Sequence, residues 1–167
     1  MNAPPEDAEV NAMGDTDPVP DSLAVDTVLV PVDGSEESVR AVEYGVAVAD
    51  RYAAEVHVVY VLGEDLVRAI EEDVIDQGAI ADDAQAFVED ATAIGEDAGV
   101  ETTSSMAYGF TTRRISQHPG SVILDTADEV DADFLVVPRE AMSDTCDVLE
   151  KAAQYVLSYA SQPVLSV

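Results

Sequence analysis

The sequence predicts an α/β fold: a three-layer α/β/α sandwich around a five-stranded, mostly parallel sheet. Three observations carry this. Short runs of Val, Ile and Leu recur along the chain, the composition of strands buried on both faces. Segments with apolar residues at helical spacing lie between them. Strand and helix alternate at the separations of βαβ crossovers. With 167 residues, 47% of them apolar, the chain has the length for one domain and the composition for a real core.

Residues 1–24 read as a tail, with four prolines, six acidic residues, no basic residue and no apolar periodicity. The domain occupies residues 25–167. Asp26–Val32 (DTVLVPV) is the first buried strand. Asp33-Gly34-Ser35 follows as a turn, with Ser35 as N-cap and Glu36 and Glu37 suited to the positive end of a helix dipole. Val39, Val42, Val46 and Ala49 mark the inner face of that helix, to about Arg51. Glu55–Leu62 (EVHVVYVL) is the second strand and completes a βαβ unit. Gly63–Gly78 carries Leu66, Val67, Ile70 and Val74 at helical spacing, as a short helix or ordered loop. A long helix covers Ala79–Ala98, with Ile80, Ala84, Phe87, Val88, Ala91 and Ile94 inward and Gly99 as its C-terminal stop.

Val100–Tyr108 reads as a third strand, rich in Thr and Ser. Gly109–Gly120 is a loop holding Arg113 and Arg114, and Pro119 suits the first turn of the next helix. Val122, Ile123, Ala127 and Val130 face inward there. Asp133–Val137 is the fourth strand and Arg139–Asp147 a loop. Leu149–Ala160 is the last helix, with Leu149, Ala152, Ala153, Val156 and Leu157 on its apolar face. Pro163–Val167 closes the chain as a fifth strand.

Charge narrows the function. Thirty-five acidic residues against seven basic ones give a net charge of −28, with Lys151 the single lysine. Such a surface repels nucleic-acid phosphates and anionic membranes. It also repels itself at low ionic strength, a penalty that fades at about 1 M salt, where the screening length is roughly 3 Å. A lysine-poor acidic surface of this kind points to a halophilic cytoplasm. Cys146 is the lone cysteine, so no intrachain disulfide is expected. No apolar run approaches the roughly 18–20 residues of a membrane span, and the N-terminus lacks the basic start and apolar core of a signal peptide. The expectation is a cytoplasmic protein without direct membrane insertion.

In an open parallel sheet, ligands bind beyond the carboxyl ends of the strands. That directs attention to Asp33–Ser35, Val61–Gly63 and Pro138–Asp144. Asp33 has two roles open to it, an acceptor for an adenine amine or ribose, or a turn former holding the Asp-Gly corner. His57, inside a strand, reads as a packed or sheet-face residue, and His118, before Pro119, as a capping or surface residue. Two histidines and one cysteine make no zinc constellation, so no metal is expected. Glu71-Glu72-Asp73 and Asp82-Asp83 lack the spacing of a calcium loop. No G-x-S-x-G elbow or G-x-G-x-x-G fingerprint is present.

With these elements in order, the chain resembles the universal stress protein family over about residues 26–167. Val28-Leu29-Val30-Pro31-Val32-Asp33-Gly34-Ser35 is similar to that family's opening strand and turn, and Glu55–Val61 to its second strand. Val130–Val137 is similar to its fourth, and Ala153–Val167 to its closing helix and strand. The resemblance implies the Rossmann-like fold of the adenine nucleotide alpha hydrolase class. It also implies a dimer that pairs its last strands, here Val164–Val167. Many members bind ATP, with adenine near the first-strand Asp and second-strand end. A loop patterned G-x2-G-x9-G-[ST] holds the phosphates, because glycine lets backbone amides approach them.

The sequence departs from that loop. Pro138 stands at the first glycine and Ala141 at the second, the loop is one residue short, and Glu150-Lys151 replaces the Gly-[Ser/Thr] pair. Glu140, Asp144, Asp147 and Glu150 add negative charge, offset in part by Arg139 and Lys151. The expected site is a vestigial nucleotide site of Asp33, Val61, Arg139, Ser143 and Lys151, with no catalytic residue and no cofactor. The expected function is a non-enzymatic, dimeric stress-response protein that does not hold ATP tightly and acts on a protein partner. Two other readings stay open: an adenine nucleotide-binding member with weak hydrolysis or a nucleotide switch, and a regulatory domain serving a membrane transporter in trans. The Arg113-Arg114 loop reads as an anion or partner site, or as arginines paired with surface carboxylates.

Overall fold

The computed structural model describes residues 23–108, 118–139 and 147–167. Most of the tail, the Arg113-Arg114 loop, and Ser143 and Cys146 lie outside the described residues. Five strands and five helices follow in the order β1 (Thr27–Val32), α1 (Glu36–Tyr52), β2 (Glu55–Leu62), α2 (Glu64–Glu71), α3 (Gln77–Asp97), β3 (Thr102–Tyr108), α4 (Pro119–Glu129), β4 (Phe134–Val137), α5 (Asp147–Tyr159) and β5 (Val164–Ser166). The sheet order is β3-β2-β1-β4-β5, and every pairing is parallel.

The strand composition explains this order. All six residues of β1 are buried, as are seven of eight in β2, so these apolar runs hold the centre. β3, whose sequence TTSSMAY is polar, takes one edge, and β5 the other. Alternate residues of each strand point to opposite faces. Val28, Val30, Val32, Val56, Val58 and Tyr60 join a core under α1 and α3. Leu29, Val59, Val61, Leu135 and Val137 join a second core with Ile123 of α4 and Val156 of α5.

The helices start where the sequence places their caps. Ser35 caps α1 by accepting from the Ser38 N–H. His118 caps α4 through its side chain, and Pro119 occupies the first turn. Gly99, at φ +72°, follows α3 in the left-handed conformation that ends a helix. Three expectations need correction. Val39 and Leu157 are exposed, so the buried stripes of α1 and α5 are narrower than periodicity alone implies. α3 starts at Gln77, two residues early, because the Asp76 carboxylate caps it by accepting from the Gly78 N–H. β3 starts at Thr102, since Val100 is spent on the turn, donating to Gly95 O.

Candidate functional site at the carboxyl ends of β1 and β4

The chain leaves β1 for one face of the sheet and β4 for the other. The crevice between their carboxyl ends is therefore the topological switch point, the place where such sheets bind ligands. Two buried prolines border it. β1 and β4 pair only at Val28–Phe134 and Leu29–Leu135, whereas β1 and β2 pair through Val32–Tyr60. Pro31 and Pro138 carry no N–H that would extend the β1–β4 ladder.

Asp33 opens the turn at the end of β1. Its Oδ1 accepts from the Ser35 N–H at 3.0 Å and from the Ser38 hydroxyl at 2.7 Å. The Ser38 hydroxyl oxygen in turn accepts from the Asp33 N–H at 3.0 Å. Of the two roles the sequence leaves open, the turn-forming one is visible in this geometry. Oδ2 lies outside that network. Gly34 adopts φ +86°, where a Cβ would also stand 2.8 Å from the Tyr60 hydroxyl. Tyr60 donates from that hydroxyl to Asp33 O at 3.1 Å and meets Phe87 edge-on at 6.1 Å between ring centroids. Burial, then the carboxylates of Asp33 and Asp83, push the Tyr60 phenol above its ordinary pKa, which keeps it a donor. Sequence reading missed Tyr60 and Ser38. Their signal was position: one at the end of a strand beside the Asp, the other five residues past it on a helical first turn.

The remaining predicted residues divide. Val61 is buried in the core on the α4–α5 side, one step beyond the last β1–β2 register pair and so level with Asp33. Arg139 follows β4. Its backbone N–H donates to Val167 O and its Nη2 donates to Ser166 O at 3.4 Å, which ties it to the end of β5. Lys151 is exposed on α5 and Ser143 lies outside the described residues. The structure thus brings Asp33 and Val61 together and holds Arg139 toward β5. Among the described residues no cluster of His, Cys, Asp or Glu has the arrangement of a metal site.

His57 is buried on β2 with both ring nitrogens engaged, Nδ1 with Thr103 Oγ1 and Nε2 with Ser105 Oγ, each at 2.8 Å. Burial lowers its pKa below the ordinary value, opposed in part by Glu55. It joins β2 to the edge strand, as a sheet-face residue.

The model of the universal stress protein family matches residues 24–167. The chain belongs to the universal stress protein family. Solved structures of this universal stress protein's fold agree. One, from Burkholderia pseudomallei, shares 19% identity at a TM-score of 0.63, covering 86% of this chain and 96% of that one. A universal stress protein in complex with cAMP shares 23% at a TM-score of 0.59, covering 86% and 97%. One from Archaeoglobus fulgidus, in complex with dAMP, shares 21% at a TM-score of 0.57, covering 87% and 98%. At these identities the likeness establishes the fold. Comparison with curated proteins finds no match.

Proposed function

We propose that this universal stress protein acts without catalysis, as a cytoplasmic dimer regulating a protein partner, and does not hold ATP tightly. The observation that carries the reading is the segment after β4. Pro138, which has no N–H, stands where phosphate-binding members place a glycine, and Glu150-Lys151 replaces the Gly-[Ser/Thr] pair. Phosphates need converging amide donors, and the acidic residues of the segment oppose them. The dimer would form through the edge strand at Val164–Val167, since β5 has β4 as its one neighbour in the sheet of the single chain.

A second reading is favoured by the Asp33 corner and by the cAMP and dAMP held by two structural neighbours. In it, Asp33 Oδ2 and the backbone beside Val61 receive an adenine, while Arg139, Ser143 and Lys151 contribute to a weak phosphate site. One experiment separates the two. The protein is purified in molar KCl and denatured, its released small molecules are separated by chromatography, and ATP and AMP are titrated calorimetrically. No nucleotide and no heat support the first reading. Near-stoichiometric nucleotide overturns it. Sedimentation in molar KCl tests the dimer, and a single monomeric species removes it.

A further inference from the structure

Cations are scarce here, seven in a chain of net charge −28, yet two of them line one pocket. A cavity of about 540 Å³ opens on the α1 face of the sheet. Glu37, Arg40 and Tyr44 of α1 line it together with Arg139, Leu165 and Val167. Leu165 and Val167 pack against the core under α1 and α3. The pocket therefore lies on the face opposite α5.

Among the described residues the two guanidinium groups are held with donors to spare. Arg40 lies over the Tyr44 ring, 5.7 Å from its centroid, a contact that uses the π face and leaves the N–H edges free. Arg139 spends one N–H on Ser166 O, at a long 3.4 Å. Each guanidinium carries five donors. Among the described residues neither arginine has a carboxylate partner, in a chain with 35 acidic residues. Planar guanidinium forks match the oxygens of a carboxylate or phosphate.

We propose that Arg40 and Arg139 form an oxyanion site for a small organic anion, whose carboxylate or phosphate they share and whose apolar body rests on Leu165 and Val167. Glu37, also in the lining, opposes a second negative group, so a ligand with one anionic group is preferred over a polyphosphate. The pocket lining does not include Asp33 or Val61, but it shares Arg139 with the nucleotide reading above, so the proposal rests on the first reading, in which no nucleotide holds that arginine.

The test is NMR of the arginine Nε–Hε groups in the full chain, at constant ionic strength, titrated with benzoate, phenyl phosphate or inorganic phosphate. Arg51, in the last turn of α1, is the internal reference. The expected result is saturable movement of the Arg40 and Arg139 signals at roughly millimolar benzoate or phenyl phosphate, with Arg51 still. Which of the two binds tighter identifies the oxyanion, and inorganic phosphate, lacking the body, binds more weakly. Arg40→Gln and Arg139→Gln each weaken binding about tenfold, with the backbone amide spectrum away from the pocket unchanged. Two results overturn the proposal: no movement at about fifty times that concentration, or unchanged affinity in both variants.

Discussion

Ser38 shows how much one hydroxyl can hold. It is fully buried, donates to Asp33 Oδ1, accepts from the Asp33 N–H and lies 3.1 Å from Ser35 Oγ. Ser38→Ala leaves the part-buried Asp33 N–H without its acceptor and removes one of the two hydrogen bonds to Asp33 Oδ1, and should lower stability by about 1–3 kcal/mol in chemical unfolding. A loss below about 0.5 kcal/mol would mean that water replaces the hydroxyl. His57 offers a pH test. A neutral imidazole donates from one nitrogen and accepts at the other, which suits its two hydroxyl partners. Its folded pKa lies below the ordinary 6.5, so the unfolded chain takes up the proton more readily. Its contribution to stability is complete above that value and is lost as the pH falls toward the folded pKa. Acidification also relieves repulsion among carboxylates, so the measurement is the difference between wild type and His57→Gln. That difference should shrink as the pH drops below 6.5. A difference constant from pH 8 to 5 would exclude the coupling.

At the scale of elements, close approach of helix to sheet sets which substitutions are tolerated. A Cβ on Gly45 of α1 would stand 2.5 Å from Val30 Cγ2. Gly to Ala within a helix ordinarily gains up to about 1 kcal/mol from propensity. Here overpacking, about 1–3 kcal/mol, opposes it, and Val30 is fully buried and β-branched, so it cannot turn away. Gly45→Ala should therefore lower the unfolding midpoint, and adding Val30→Ala should weaken or reverse the effect of the Gly45 change. Equal effects in both backgrounds would place the strain elsewhere. The same close packing recurs between α4 and α5, where a Cβ on Gly120 would meet Tyr155 at 2.5 Å. Tyr155 stacks on His118 at 4.5 Å, so the capping histidine also joins the two helices.

For the whole molecule the dominant quantity is a net charge of −28 spread over one domain. Self-repulsion at this charge opposes the compact state, and salt screens it. The unfolding midpoint should rise between about 0.1 and 1 M KCl, where the Debye length falls from about 10 to 3 Å. A midpoint indifferent to KCl would remove the halophilic reading of the composition. Much of the fold was legible in the sequence, for a physical reason. A strand buried on both faces must be a continuous apolar run, and a covering helix must repeat at 3.6 residues, so β1, β2, α1 and α3 announce themselves locally. Caps are local too, which is why Ser35, Pro119 and Gly99 were readable in place. The stripe edges at Val39 and Leu157 were not, because exposure there depends on where neighbouring elements stop. Of the candidate site, Asp33 and Val61 were legible as strand ends. The Tyr60–Asp33 hydrogen bond, the engagement of both His57 nitrogens and the placing of Arg40 and Arg139 in one pocket lining were not. The sequence by itself determined the elements, their order and the acidic surface. Only the tertiary structure decided which residues distant along the chain share a corner or a pocket, because strand register and helix packing bring them together and no local pattern records that contact.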